Sequence, residues 1–393
     1  METVLIYTNF SSYNLTASFK DTAIVTTSRP DDGSDDPTYV SIRNLQKFII
    51  PILCLIGLLG NLTSVSIFMS RSLKKKSCCM YLMTKCLTDT LFLAALFVVW
   101  LDRIEVHWFH RHGVCQMIIF ITYICGFLSV WLVVMVTVEN YIRIRHPYRV
   151  HSLCTPGKAR VVLLVLGLTS IFCYNFPLWT THSTLSENVS TCSLVPEYSR
   201  FNEGLTYFDT TVTLVLPSVL VFCFMCGIFG SLLTAYKRSK RMKRLGRQRH
   251  IHFFCLSPYG RVTAMLLAVS ITFIALHTPS HTIRLRLLFA EFLDLRPTLY
   301  LHELRLQRMF ELLYYSNFAT NCVTYFIFGK AFRDLYLQFF CGCCCKKKDQ
   351  FSNLHDSGYI QYVCESSNRE HVIGGDAVET DIISSEAIML QQS

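Results

Sequence analysis

Seven long apolar stretches constrain the fold of this chain more than any other feature of its sequence. They lie near residues 47–70, 79–101, 114–138, 159–181, 207–235, 262–289 and 306–328. A helix needs about 20 apolar residues to cross the roughly 30 Å hydrocarbon core of a bilayer, and lipid cannot satisfy an open strand edge. Because each stretch is long enough, the sequence predicts an all-α membrane protein with a bundle of seven transmembrane helices. A composition of 51% hydrophobic and 16% charged residues agrees with this class.

The basic residues predict the orientation of these spans. Lysine and arginine are concentrated after spans one, three, five and seven, in residues 71–76, 143–160, 237–261 and beyond 330. By the positive-inside rule these loops are cytoplasmic, which places the N-terminus outside and the C-terminus inside the plasma membrane. The net charge of +10 is therefore attributed to topology and to contact with anionic lipids. Nucleic acid is excluded as a partner, because its binding would need a folded basic face outside the bilayer.

Three regions follow from this topology. Residues 1–44 are an extracellular N-terminal segment, residues 45–340 the seven-helix domain and residues 341–393 a cytoplasmic tail. Sequons predict N-glycosylation on the outer face, at Asn9, Asn14 and Asn188. A further sequon at Asn61 lies inside span one and is expected to stay unmodified. The chain has no basic, apolar signal-peptide start, so span one is expected to act as an uncleaved signal anchor.

The 18 cysteines do not indicate a disulfide-rich scaffold, because most of them fall in the bilayer or in the reducing cytosol. Cys115, at the outer end of span three, and Cys192, in the loop between spans four and five, are the two placed in oxidising space. Two cysteines allow one bridge. The sequence therefore predicts a disulfide that ties the second outer loop across the top of span three.

A cysteine cluster beyond span seven predicts S-acylation. It stands beside three lysines, and an acyl chain with a polybasic patch gives two membrane signals; its members are Cys341, Cys343, Cys344 and Cys345. A cytosolic zinc site is the alternative. Four nearly consecutive cysteines cannot readily surround one tetrahedral ion, which favours acylation with palmitate.

Signature residues in most spans carry a resemblance to a known family. They are Gly60-Asn61, Asp89, Glu139-Asn140-Tyr141, Pro217, Phe273 with Pro279, Asn321 through Tyr325, and Phe332 in a short amphipathic helix after span seven. Together with the spans and the outer disulfide, they make residues 44–345 resemble the rhodopsin-like (class A) G-protein-coupled receptors, most of all those for neuropeptides. The resemblance implies signalling from an extracellular ligand to heterotrimeric G proteins, arrestin as a further partner, and no required cofactor.

Asp89 is an ionisable residue at mid-membrane, where a charge is costly and normally has a partner. The resemblance implies that Ser129, Asn317 and Asn321 face the same interior point. It also implies that these four side chains hold sodium as an allosteric ion, and their oxygens suit a hard cation. The alternative is a hydrated polar network without a stable ion.

The chain departs from the family pattern in its switch residues. Asn140 stands in place of the motif's arginine, His277 in place of a tryptophan and Cys322 in place of a proline. Arg143 follows Glu139 by one helical turn, in the favourable acid-first order, so it can form a substitute pair. Raised basal activity and weak coupling both stay open. The positions that the resemblance assigns to the switch and the G-protein groove are Glu139, Asn140, Tyr141, Arg143, Tyr148, Phe273, His277, Pro279 and Tyr325.

The outer ends of the spans predict the ligand site. Thr122 stands where amine receptors have aspartate, and Tyr315 where opsins have the retinal lysine, so neither ligand is favoured. Helical position predicts a lining of Trp100, Asp102, Arg103, Thr122, Tyr123, Gly126, His281, Arg284, Glu311 and Tyr315. Charges of both signs among aromatic side chains favour a short peptide. The alternative is that these charges pair among themselves around a solvated rim; whether Arg284 and Glu311 face one cavity discriminates the two.

Other function classes find less support in the sequence. No phosphate-binding loop or hydrolase motif is present, so an enzyme is not expected. A transporter would predict inverted repeats with paired broken helices, and the seven spans have no internal similarity. A chemosensory or orphan receptor for a small molecule is the closest alternative to a peptide receptor.

Overall fold

The computed structural model describes residues 37–106, 108–111, 113–186, 189–244, 258–292 and 300–340. Eight main helices, α1 to α8, are defined within these ranges. α5 consists of three consecutive segments, the second of them π-helical, and α7 consists of two. The bounds are α1 Pro37–Phe68, α2 Ser77–Leu101, α3 Val114–Arg145, α4 Pro156–Cys173, α5 Ser199–Asp209 with Thr210–Val215 and Leu216–Arg244, α6 Pro258–Phe292, α7 Tyr300–Ala319 with Asn321–Phe328, and α8 Lys330–Phe340.

Six helical segments within the described ranges are long and apolar enough to cross a membrane, and each corresponds to one of the helices α1 to α6. The predicted seventh span also forms a helix, α7, but it does not reach the same apolarity. Its outer half carries Glu303, Arg305, Arg308 and Glu311, and its helix is interrupted at Thr320. The predicted α8 is present and buries Phe332.

Several helix ends differ from the limits of the apolar stretches, and α1 and α4 are two examples. α1 begins at Pro37, inside the segment assigned to the N-terminus, because proline suits the first helical turn and a helix can continue into polar residues that lipid does not contact. α4 ends at Cys173, before the predicted limit near residue 181. Pro177 has no backbone N–H to donate to the carbonyl of Cys173, so the hydrogen-bond pattern of α4 cannot continue there.

A two-stranded antiparallel hairpin follows α4 and was not predicted from the sequence. β1 is Thr181–Ser186 and β2 is Val189–Leu194, with Ser183 opposite Cys192. Cys192 is joined to Cys115 in the first turn of α3, with 5.9 Å between their Cα atoms. The predicted disulfide is thereby confirmed, and it holds β2 against the outer end of α3.

α3 is the central helix of the bundle. It contacts α2, α4, α5 and α6, and Leu132, Val133 and Val136 along it are fully buried. α1 and α7 complete the bundle beside α2, where the rings of Phe92 and Phe318 stack at 3.8 Å between centroids. Large apolar side chains remain exposed on the outer faces of the helices, as expected for surfaces that face lipid tails.

Candidate functional site

A buried carboxylate and a buried ammonium form the polar centre of the bundle. Lys85 Nζ donates to Asp89 Oδ2 at 2.6 Å and to Ser129 Oγ at 3.0 Å. Asn321 Nδ2 donates to the same Asp89 oxygen at 2.6 Å and to Asn61 Oδ1 at 3.1 Å. Lys85 and Asp89 lie four residues apart, which places them on one face of α2. The centre therefore joins α1, α2, α3 and α7.

The four residues assigned to sodium lie around this centre. Asp89, Ser129 and Asn321 bond as described, and Asn317 lines a cavity of about 10 Å³ together with Lys85 and Asn321. They do not fit a sodium ion as they stand, because the Lys85 ammonium already uses Asp89 Oδ2 and Ser129 Oγ. The sequence analysis missed Lys85, although a lysine one turn before a mid-membrane aspartate was the signal for a buried pair.

An aromatic and imidazole cluster lies on the inner face of α6. His277 and His281 are one turn apart and share a hydrogen bond between His277 Nδ1 and His281 Nε2. Phe273 stacks on His277 with 4.4 Å between ring centroids, and Tyr314 of α7 lies 5.0 Å from His277 and 5.9 Å from His281. A Cβ atom at Gly126 would lie 3.9 Å from the Tyr314 hydroxyl. Residues predicted to line the ligand site and residues assigned to the switch therefore meet around Tyr314. Tyr314 itself was not predicted from the sequence.

Glu311 is buried and held by its neighbours at the outer end of α7. Its Oε2 lies 3.4 Å from Arg308 Nη1 and accepts from Gln46 Nε2 at 3.2 Å. Gln46 also donates to the Arg308 carbonyl at 2.7 Å, and Arg103 donates to Gln46 Oε1 at 3.5 Å. For Glu311 this arrangement favours the alternative in which charges pair among themselves, with Arg308 as a partner that was not predicted. The other carboxylate oxygen, Oε1, is buried and has no hydrogen-bond partner among the described residues.

Asp102 supports the hairpin at the outer face. Its Oδ1 lies 3.1 Å from His110 Nε2, while His110 Nδ1 accepts the backbone N–H of Cys192 at 3.0 Å. Ser183 donates its hydroxyl to the His110 carbonyl. His110, another residue not predicted, therefore connects the end of α2 to both strands.

Arg284 lies in α6, but its side chain falls outside the part of the chain that the structure describes.

Other residues of the predicted lining use their side chains within the bundle. Trp100 donates to a backbone carbonyl of α1 at 2.8 Å, and Thr122 donates to the preceding turn of its own helix at 2.7 Å. Tyr123 stacks on Tyr174 with 5.6 Å between centroids, on the side of α3 that faces α4. Tyr315 is buried beside aromatic rings of α2 and α7. Trp100, Tyr123 and Tyr315 therefore contribute to packing between helices, and Thr122 bonds within its own helix.

An ion pair between a buried carboxylate and a partly buried guanidinium lies in the last turns of α3. Arg143 donates to Glu139 Oε1 through Nε at 3.2 Å and also through Nη2, which is the pair that the sequence suggested. The Ser77 hydroxyl of α2 donates to the same oxygen at 2.7 Å. Cys154 lies nearby in the second inner loop, where burial, and then the Glu139 carboxylate, raise the pKa of its thiol to about 11. The thiol is therefore neutral at physiological pH and adds no charge beside the ion pair.

Asn140 is fully buried beside the ion pair, and neither its amide oxygen nor its amide nitrogen has a hydrogen-bond partner among the described residues. One turn further into the membrane, the hydroxyls of Thr137 and Ser270 share a hydrogen bond of 2.7 Å between α3 and α6. Tyr141 packs on Phe224 of α5 at 5.4 Å between centroids. Tyr148 is exposed in the second inner loop.

The second piece of α7 packs against the last turn of α1, against α2 and against the first turn of α8. Tyr325 is fully buried, and its ring centroid lies 5.2 Å from that of Phe68 and 5.6 Å from that of Phe332. Cys86 Sγ lies 3.9 Å from the Tyr325 hydroxyl. Pro279 stands inside α6 without ending it.

The predicted modification sites fall outside the described residues and stay predictions. They are the glycosylation sites Asn9, Asn14 and Asn188 and the acylation sites Cys341, Cys343, Cys344 and Cys345.

Comparison with known proteins identifies one family, and three examples of related receptors follow. Residues 60–325 match the 7 transmembrane receptor (rhodopsin family). The chain is 20% identical to somatostatin receptor type 1 of Rattus norvegicus over 325 residues, 79% of this chain and 78% of that receptor. It is 20% identical to somatostatin receptor type 4 of the same species over 318 residues, 80% and 76% of the two chains. It is 25% identical to the FMRFamide receptor of Drosophila melanogaster over 315 residues, 74% of this chain and 53% of that receptor.

Proposed function

This chain belongs to the rhodopsin family of seven-transmembrane receptors, and from that membership we propose that it transmits an extracellular peptide signal to heterotrimeric G proteins. It is a multi-pass protein of the plasma membrane. The positions of the basic loops support an outer N-terminus and a cytoplasmic C-terminus. The observation that carries the proposal is the family match over residues 60–325, joined with relatives named for peptides.

The outer end of the bundle supports a peptide as the ligand class. Somatostatin and FMRFamide name the relatives. In this chain Arg103 and Arg308 lie around Glu311, and one oxygen of that carboxylate has no partner among the described residues. Peptides carry charged ends and side chains that can exchange with such pairs through charge-assisted hydrogen bonds. The hairpin that Cys192 fixes over α3 would form one wall of the entrance.

A small-molecule receptor is the second candidate, and the His277–His281–Tyr314 cluster is the observation that favours it. Deep sites lined by aromatic rings with a few polar atoms are typical of small ligands. A peptide ligand would need contacts at the outer network as well as at this depth. The two candidates therefore differ in which residues their agonists require.

Further parts of the proposal concern the cytoplasmic side. The ends of α3, α5 and α6 form the groove for the G protein, with Arg143 as its nearest buried cation. Arrestin is proposed as a second partner of the same face. S-acylation and the basic residues beyond α8 are proposed to hold the tail at the anionic leaflet.

Cells that express the chain should be screened with amidated and unmodified short peptides and, in parallel, with a small-molecule set. G-protein dissociation, cAMP and calcium are the readouts, with untransfected cells as the control. We expect concentration-dependent G-protein dissociation with a peptide in expressing cells alone. A response confined to small molecules, or a peptide that binds the expressing cells without any G-protein response, would contradict the proposal.

A further inference from the structure

Lys85 brings a positive charge into the place where the resemblance puts a sodium ion. We propose that the Lys85 ammonium is the resident cation of the Asp89 centre, so that this receptor keeps that site filled without sodium. The inference is independent of the ligand and of the G protein that the receptor uses. It concerns an ion that is covalently part of the chain and cannot exchange with the solution.

The hydrogen bonds around the ammonium support this assignment. A lysine ammonium has three N–H donors and no acceptor. Two acceptors of the predicted sodium cage, Asp89 Oδ2 at 2.6 Å and Ser129 Oγ at 3.0 Å, bind it directly. The adjoining cavity of about 10 Å³ is roughly large enough for one water. The ammonium therefore takes two of the oxygens that a metal ion would need, while Asp89 Oδ1 has no hydrogen-bond partner among the described residues.

Charge balance gives a second reason. Lys85 and Asp89 are both buried, and together they carry no net charge. Adding a sodium ion to the same oxygens would leave one uncompensated positive charge in an apolar interior, which is unfavourable. Like charges at close range also repel. Sodium would have to displace the ammonium before it could bind Asp89 Oδ2.

The ammonium has no short route out of the bundle. Lys85 lies eight residues from Ser77, the start of α2, which corresponds to roughly 12 Å along a helix at 1.5 Å per residue. A lysine side chain is too short to cover that distance and reach the cytoplasmic surface. On its other side, the ring of Phe318 lies 5.9 Å from Nζ. The side chain is therefore confined to the neighbourhood of Asp89.

A tethered cation changes what the polar centre can do. A dissolved ion that binds one state of a protein shifts the equilibrium toward that state in proportion to its concentration. A covalent cation has no such dependence. The link between α2, α3 and α7 can then be broken only by movement of the helices themselves, and sodium should not modulate the receptor.

The test is the thermal unfolding of the purified full-length receptor in sodium chloride and in choline chloride at equal ionic strength. We expect the wild-type melting temperature to be the same in both salts. Lys85→Met should vacate the cage and create sodium-specific stabilisation, because a ligand that binds the folded state raises the melting temperature. Lys85→Met with Asp89→Asn should lose that response. Lys76→Met, which removes an exposed lysine at the start of α2, should behave as wild type.

Sodium-specific stabilisation of the wild type that Asp89→Asn abolishes would overturn the proposal. A folded Lys85→Met variant that does not respond to sodium would overturn it as well.

If Lys85→Met does not reach the membrane, surface expression provides the second measurement. Removing one partner of a buried ion pair is far more damaging than replacing both. Lys85→Met combined with Asp89→Leu should therefore restore expression above either single variant. The assignment is rejected if surface expression does not recover in the double variant and sodium stabilises the wild type. It is supported if surface expression recovers and sodium does not stabilise the wild type.

Discussion

Among the described residues, three of the four buried carboxylates have a cation on their own helix. Asp89 pairs with Lys85, Glu139 with Arg143 and Glu311 with Arg308, at spacings of three or four residues. Such a pair is neutral before the helix packs against any other, which lowers the cost of placing both charges in the membrane. Contacts to neighbouring helices are then made by uncharged groups, such as the Ser77 hydroxyl and the Gln46 amide. Relative movement of the helices can break those contacts while the ion pairs stay intact.

Breaking one of these pairs should be costly, and the pair at the outer end of α7 offers a direct test. Arg308→Met leaves the Glu311 carboxylate buried without its cation, so we expect a loss of about 3 to 5 kcal/mol in the free energy of unfolding. Adding Glu311→Leu should recover most of it. Surface expression and thermal unfolding are the measurements, with Lys330→Met at the exposed start of α8 as the control. A double variant no better than Arg308→Met alone would show that the two charges are not coupled.

At the scale of elements, the outer hairpin depends on two attachments. Cys192 is bonded to Cys115, and its backbone N–H donates to His110, which in turn contacts Asp102. The covalent attachment fixes β2 to α3, and the hydrogen bonds fix it to the end of α2. The position of the entrance wall therefore depends on both.

Removal of the disulfide should release the hairpin from α3. Cys115→Ala or Cys192→Ala is expected to lower surface expression and ligand response together, since loss of a native disulfide typically costs about 2 to 5 kcal/mol. His110→Ala, which removes hydrogen bonds alone, should have a smaller effect. Cys173→Ala, a free cysteine at the end of α4, serves as the control. Alanine variants that express and respond as wild type would contradict this role.

Apolar patterning predicted the spans from α1 to α6 and, through the topology, the disulfide. It could not predict where helices end, because it detects contact with lipid and not helicity: α1 begins at Pro37, in a polar segment. It also gave no signal for the hairpin, whose short strands are fixed by a distant cysteine. α7 shows that a helix can also be less apolar than the other spans, because its outer half carries charged residues.

The candidate sites were predictable where partners lie on one helix. Arg143 was chosen because it follows Glu139 by four residues, and the same spacing would have revealed Lys85 beside Asp89. Contacts between helices, such as that of Gln46 with Glu311, depend on rotation and tilt, which one sequence does not specify. The stacking of Tyr123 on Tyr174 is another contact of this kind.

At the scale of the whole molecule, α3 connects the outer face, the polar centre and the cytoplasmic end. Its first turn carries Cys115, its middle Ser129 and its last turns Glu139 and Asn140. Within the described residues, the polar link between α3 and α6 nearest the cytoplasm is the hydrogen bond of Thr137 with Ser270. A neutral hydrogen bond contributes about 1 kcal/mol, less than the charge-assisted bond that an arginine at position 140 could make. We therefore expect a weaker polar restraint between α3 and α6 at this end, in the direction of raised basal activity.

Transmission of the signal should depend on the positive charge at the cytoplasmic end of α3. Arg143→Ala leaves Glu139 buried with only the Ser77 hydroxyl and removes the nearest cation from the groove, so agonist-driven signalling should weaken. Asn140→Arg adds a cation beside Glu139, at a buried amide without partners among the described residues, and should strengthen it. The measurement is G-protein dissociation at equal surface expression, with the exposed Arg145→Ala as a matched control. If Arg143→Ala signals at the wild-type level and Asn140→Arg is silent, the end of α3 does not transmit the signal through this charge, and the contacts of α5 and α6 with the G protein must do so.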